Sequence, residues 1–253
     1  MRKKRWTYLT VCTAVLALSI MMAACSDGTM KGGESGTKAG GSSQIDPVTS
    51  NNPSGSQGEE ELADPALAAL VNKTHPLQNS YAPDDLVAVD VPTVFKNPEV
   101  NQLREDAAKA LKQLFDGAEK KGYKLYARSG YRSYETQQAL FADYVSREGE
   151  AAANRYSAKA GQSEHQTGLA MDVTSDSVSK GLQEAFGETD EGRWLADNAH
   201  LYGFIIRYPK GQEGITGYIY EPWHIRYLGI ELATKVFESG QTYEEYTSGK
   251  QAK

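Results

Sequence analysis

Apolar positions recur along this chain in blocks with different periods. After Arg2, Lys3, Lys4 and Arg5, a largely apolar run of 16 residues extends from Thr7 to Met22. Large apolar side chains then almost vanish over residues 26–60. They return near Leu62 without a clear period, interrupted by Pro65, Pro76, Pro83 and Pro92. That pattern predicts an extended arm with short helical turns over 62–97, packed on the domain that follows. Leu103, Ala107, Leu111, Leu114 and Ala118 recur at helical spacing. Asn97 and Pro98 supply an N-cap and a first-turn proline for this helix, and Gly122 ends it. Tyr123–Ser129 reads as a strand. Ser133 caps a second helix over Glu135–Arg147, and Ala170–Thr174 reads as a short strand. Glu191–Leu201 reads as a helix closed by Gly203. Phe204–Tyr208 and Gly217–Ile225 read as strands that pair as a hairpin, joined by the turn-rich PKGQEGIT. Ile230–Glu238 is a last helix, and Tyr243–Tyr246 a final amphipathic turn. The order predicts an α+β domain over 98–248, a small, mainly antiparallel sheet flanked by helices.

Composition changes this picture only at the N-terminus. The basic cluster, the apolar run and the small pair Ala23-Ala24 before Cys25 have the shape of a secretory signal over 1–24, shorter than the roughly 20 apolar residues of a membrane span. Residues 26–60 contain eight Gly and seven Ser among 35. Together with Cys25 they predict a flexible tether over 25–61, with an r.m.s. span of roughly 30–35 Å. The chain carries 27 basic and 33 acidic residues, a net charge of −6. Without residues 1–24, which hold four basic and no acidic residues, the balance is 23 against 33, or −10. Bulk attraction to nucleic acid is excluded by that sign. Two cysteines, one of them Cys12 inside the signal, cannot build a disulfide framework.

The candidate chemistry lies in three short segments. Ser163-Glu164-His165-Gln166-Thr167-Gly168-Leu169-Ala170-Met171-Asp172 and Glu221-Pro222-Trp223-His224 hold two of the four histidines. A hydrolytic zinc site takes three protein ligands and keeps one position open. His165, Asp172 and His224 can supply two imidazoles and a carboxylate if the chain reverses at Gly168. His75 and His200 lack acidic neighbours at ligand spacing and read as structural or exposed. Trp194, Leu195 and Leu201 read as core, and Asp143 and Glu148 as a solvated helix face. No Ser-x-x-Lys opens a helix, so a penicillin-binding serine mechanism has no support.

SEHQTGLAMD followed by EPWH resembles the zinc D-alanyl-D-alanine carboxypeptidases of the VanY type, in the M15 peptidase family. The likeness extends over roughly 121–229 through SGYRS at 129–133, WLADNAHLYGFIIRYP at 194–209 and ITGYIYEPWHIRYLG at 215–229. It implies the LAS/hedgehog-like peptidase fold with the zinc site on the sheet. It also implies His165, Asp172 and His224 as Zn2+ ligands, Glu221 as catalytic base and Arg132 beside the scissile bond. Ser163 and Tyr208 match positions that line the substrate site in relatives, and Gln137, just over one turn into the helix after Arg132, can face the same pocket. Arg128 and Arg207 stand as alternatives for holding a substrate carboxylate. Glu221 precedes His224 by three residues, so a local bend at Pro222 must bring both to the metal. The implied substrate is the C-terminal D-alanine of peptidoglycan stem peptides. Relatives divide between D-Ala-D-Ala ends, LD cleavage of tetrapeptides and endopeptidase action, and a wall-binding lipoprotein is the non-enzymatic alternative. The N-terminus is similar to a bacterial lipoprotein signal, with Met22 where Leu is usual. It implies lipidation at Cys25 and a monomer anchored at the outer face of the cell membrane.

Overall fold

The computed structural model describes residues 66–249, so the signal, lipidation and tether readings at 1–61 lie outside the described residues. Four antiparallel strands form the main sheet: β3 (Leu125–Ser129), β4 (Ala170–Ser175), β5 (Phe204–Tyr208) and β6 (Glu221–Tyr227), in the order β3-β4-β6-β5. A two-stranded sheet pairs β1 (Leu86–Ala88) with β2 (Gln102–Arg104). The helices are α1 (Glu105–Glu119), α2 (Tyr134–Glu148), α3 (Glu150–Ala153), α4 (Asp190–Asn198), α5 (Glu213–Thr216), α6 (Ile230–Ser239) and α7 (Tyr243–Thr247). Sheet and helices make the expected α+β arrangement, and the two late strands pair as the expected hairpin.

Alternation along the strands gives the sheet two unlike faces. One face carries Leu125, Ala127, Met171, Val173, Phe204 and Ile225, packed on Leu111, Leu114 and Phe115 of α1 and Leu195 of α4. Each fully buried leucine contributes about 1.5–3 kcal/mol. The opposite face carries Asp172, Thr174, Arg207, His224 and Arg226, all buried. Beside them Ile205 packs with Ala233 and Val236 of α6 and Tyr243 of α7. The second face is therefore polar yet closed, which sets the conditions for a site.

Three local expectations are corrected. The first helix starts at Glu105, not Pro98: the Asn97 side chain accepts from Glu99 N (3.0 Å) in a tight turn, and residues 102–104 are drawn into pairing with β1. The last strand starts at Glu221, not Gly217. Gly217 closes α5 at φ +78, and Ile219 N donates sideways to Arg155 O (3.1 Å). Leu201 is 54% exposed, because the 3-10 turn Ala199–Tyr202 that ends α4 points it outward. Ser133 caps α2, its Oγ accepting from Thr136 N.

Within the arm, residues 66–97 hold no helix, only turns and bends, β1, an Asn72–His75 bridge and a parallel bridge from Thr93 to Ala127. Val71 is buried, and Leu67, Val89 and Val91 pack on the core. Val94 N donates to Ala127 O (2.8 Å), which attaches the arm to the edge of β3.

Candidate active site

Sheet register assembles the site. Asp172 on β4 and His224 on β6 are direct cross-strand partners, so their side chains emerge side by side on the polar face. His165 comes from a 3-10 turn, Glu164–Thr167, that Ser163 caps through its Oγ (3.4 Å to His165 N). Gly168 closes that turn at φ +67, in the left-handed region that favours glycine. The chain reverses at this residue and enters β4.

Glu221 and His224 share a side of the strand because β6 is irregular. Between the pairs Ile206–Ile225 and Tyr208–Glu221, β6 advances four residues (225 to 221) while β5 advances two (206 to 208). The surplus bends β6 at Pro222-Trp223. As a result Glu221 Oε2 lies 3.9 Å from His224 Nδ1.

The donor atoms of His165, Asp172 and His224 lie within 4.8 Å of one another. Asp172 Oδ1 is 3.1 Å from His224 Nδ1 and 3.5 Å from His165 Nε2. A tetrahedral ion with bonds of about 2.0–2.1 Å separates its donors by roughly 3.3–3.4 Å. The other nitrogen of each ring is already anchored: His165 Nδ1 lies 2.7 Å from Gly130 O, and His224 Nε2 lies 3.3 Å from Glu164 Oε2. Two oriented imidazoles and one carboxylate thus fit a zinc ion.

The electrostatics follow from burial and these contacts. Burial pulls His165 down to about 4, with the Arg132 charge adding to it. Burial also opposes charge on His224, but the contacts with Asp172 and Glu164 prevail and push it up to about 9. Asp172 resists desolvation and is held well below the usual carboxylate range by the two histidines. Burial pushes Glu221 up to about 8, and the nearby Asp172 charge adds to it. A carboxylate with that proton affinity, facing the donor set, has the character of a general base.

These groups open into a cleft of about 410 Å³, walled further by Leu140, Tyr144, Ile219 and Trp223. Arg132, Ser163 and Tyr208 line it. Arg132 Nη1 donates to Ser129 Oγ (3.3 Å), and its buried Nε has no partner among the described residues. The Tyr208 ring lies 4.9 Å from the His224 ring, and burial pushes its hydroxyl well up, which keeps it a neutral donor. Gln137 does not line the cleft. Its amide donates to Ala158 O (2.6 Å) and so holds the loop whose residues 157 and 158 do.

Both alternatives for a substrate carboxylate are engaged elsewhere. Arg207 is fully buried behind the site, on Glu164 and Glu244. Arg128 donates to Lys180 O (2.5 Å) and stacks on Phe95. His75 is exposed beside Asn72 and Thr74, and His200 stacks on Phe237. Glu148 is exposed but stands at the rim of the cleft.

Sequence reasoning passed over Glu164, although it stands inside the motif. The available signal was a second acid next to the metal-ligating candidate His165, with arginines at 207 and 226 interrupting apolar strands.

The family profile described as VanY, D-alanyl-D-alanine carboxypeptidase, matches residues 100–230. The putative carboxypeptidase YodJ of Bacillus subtilis (strain 168) is 50% identical over 191 residues, covering 75% of this chain and 70% of that protein. The chain belongs to the VanY family. Among solved structures, the LdcB LD-carboxypeptidase superposes with a TM-score of 0.70 at 49% identity, over 74% of this chain and 88% of that one. A mutant of the vancomycin resistance D,D-pentapeptidase VanY in complex with Zn(II) superposes with a TM-score of 0.59 at 35% identity, over 72% and 99%. The fold is accordingly the LAS-like peptidase fold.

Proposed function

We propose that this chain is a zinc carboxypeptidase that removes the C-terminal D-alanine from peptidoglycan stem peptides. One observation carries the reading: His165, Asp172 and His224 converge at ion-binding distances beside Glu221 and Arg132, in a single cleft. Zinc held by the three donors supplies Lewis acidity and lowers the pKa of water towards about 7. Glu221 takes the proton of the attacking water and later gives it to the leaving amine. Arg132 lines the cleft, where its guanidinium meets the charge that develops on the carbonyl oxygen. Tyr208 offers a neutral hydroxyl to the same side, and Ser163 keeps the His165 turn in place.

The family description favours D-Ala-D-Ala ends. A second reading, LD cleavage of tetrapeptide stems, draws on the 49% identity with LdcB against 35% with VanY. Pentapeptide and tetrapeptide stems are incubated with the zinc-loaded chain and followed by mass spectrometry, with and without chelator. Loss of one alanine from the pentapeptide, abolished by chelator, is the expected result. Loss only from the tetrapeptide keeps the chemistry and moves the specificity to LD. Cleavage that survives metal removal overturns the metal mechanism.

The N-terminal pattern supports an extracytoplasmic enzyme anchored through Cys25, with its substrate just outside the membrane. The N-terminal peptide of the mature protein is expected to begin at a lipidated Cys25. A mature protein with any other first residue overturns that placement.

A further inference from the structure

Glu164 takes no part in the mechanism above, yet it is fully buried and touches a metal-ligand candidate. Its two oxygens have separate tasks. Oε1 accepts from Arg207 Nε and from Arg226 Nη1, both at 2.7 Å. Oε2 lies 3.3 Å from His224 Nε2. Each guanidinium is fixed in turn. Arg207 holds Glu244 of α7 through two further bonds, Nη1 to Oε2 at 2.8 Å and Nη2 to Oε1 at 2.6 Å. Arg226 Nη2 donates to Leu67 O and Ala69 O of the arm, both at 2.9 Å.

A carboxylate between two permanently charged guanidiniums is ionised and can only accept. The proton of the bond to His224 therefore sits on Nε2, which leaves Nδ1, 3.1 Å from Asp172 Oδ1, as the nitrogen that gives up its proton when a metal binds. Nδ1 faces the place where Asp172 Oδ1 and His165 Nε2 converge. The arrangement repeats, with a buried carboxylate, what Gly130 O does for His165. Because both guanidiniums bind the same oxygen, the carboxylate cannot rotate to release Oε2 without breaking two charge-assisted bonds.

We infer that Glu164 is a positioning residue for the metal: clamped by Arg207 and Arg226, it fixes the tautomer and ring orientation of His224 and so sets zinc affinity. The inference rests on the metal site of the proposed function. Partners of this kind are typically worth about 10–100-fold in metal affinity. An isosteric Gln at 164 keeps the volume but meets two guanidiniums with a neutral group that is half donor.

The test uses the full-length chain and zinc alone, in competition with a chromophoric chelator. Wild type, Glu164→Gln and Glu244→Gln are compared, with melting temperatures measured alongside and the absorption spectrum of Co(II) in place of zinc as a signature. Glu244→Gln weakens the same network without touching His224. Glu164→Gln is expected to lower zinc affinity about 10–100-fold and to shift the Co(II) bands. Glu244→Gln is expected to lower the melting temperature and leave affinity and spectrum near wild type. Equal affinity and an unchanged spectrum for Glu164→Gln overturn the inference, as does a loss of affinity that merely tracks melting temperature in both variants. Should Glu164→Gln fail to fold, nitrogen NMR of the zinc-loaded wild type decides. A slowly exchanging proton on His224 Nε2, with Nδ1 unprotonated, supports the assignment, and a metal on Nε2 overturns it. If wild type itself takes up no zinc, the site reading fails first, and does so without reference to Glu164.

Discussion

Glu221→Gln is expected to lower the rate of stem-peptide hydrolysis by about 10²–10⁴-fold, the range in which a positioned general base contributes. Three observations set this size. Glu221 sits on the cleft wall, its Oε2 comes within 3.9 Å of His224 Nδ1, and burial raises its proton affinity to about 8. The amide keeps the shape and cannot take the proton. The three donor side chains are untouched, so zinc content measured by atomic absorption should remain at one per chain. A variant that hydrolyses at the wild-type rate removes Glu221 from the base role. A variant that is inactive because it lost its zinc leaves the base role unsupported as well, and the paired measurement of rate and zinc content separates the two.

Arg226→Leu is expected to destabilise the chain by about 3–5 kcal/mol, the cost of removing one partner of a buried ion pair. Arg226 is fully buried on β6. Its loss leaves Glu164 with half its compensating charge and strips the arm carbonyls of Leu67 and Ala69 of their donor. Leucine fills part of the volume and none of these bonds. By contrast Lys109 and Glu105 pair on the exposed face of α1, where Lys109→Leu should leave the unfolding midpoint close to that of wild type. Denaturant titration of the three proteins checks the pair of values. An Arg226→Leu midpoint equal to wild type would mean that the buried charges are not balanced as described.

The two results bear on one design. The catalytic face of the sheet is polar, and it is closed by an arm from one end of the domain and a helix from the other. Arg226 reaches the arm, Arg207 reaches α7, and both meet at Glu164 behind His224. Elements remote from the cleft are thereby made part of its support: the carbonyl of Leu67 and the carboxylate of Glu244 join, through Arg226 and Arg207, the network that holds Glu164 against His224.

Much of this was legible residue by residue. The period of Leu111, Leu114 and Ala118 reads as α1, Ser133 as the cap of α2, Gly203 as the stop before β5, and the two polar motifs as side chains that share one cleft. All of these are short-range signals, carried by the spacing of side chains or by the backbone preference of one residue. The first helix was misread for the complementary reason. Asn97-Pro98 is a sound local start signal, but pairing of residues 102–104 with β1 competes for the same backbone and delays the helix to Glu105. Arg207 was misread as available to substrate, because a sequence shows its charge and not the two carboxylates that consume it.

The chain's linear order thus established which chemical groups are present and roughly which elements carry them: two imidazoles, two carboxylates and an arginine on an α+β scaffold. Tertiary structure alone decided that Asp172 and His224 face each other across the β4–β6 ladder. It alone decided that a four-for-two step in β6 turns Glu221 towards them, and that Glu164 is held between two buried arginines. Register and bulges arise from the packing of whole faces, and buried charge pairs join residues 43 and 62 positions apart. Neither is written in the preferences of any one segment.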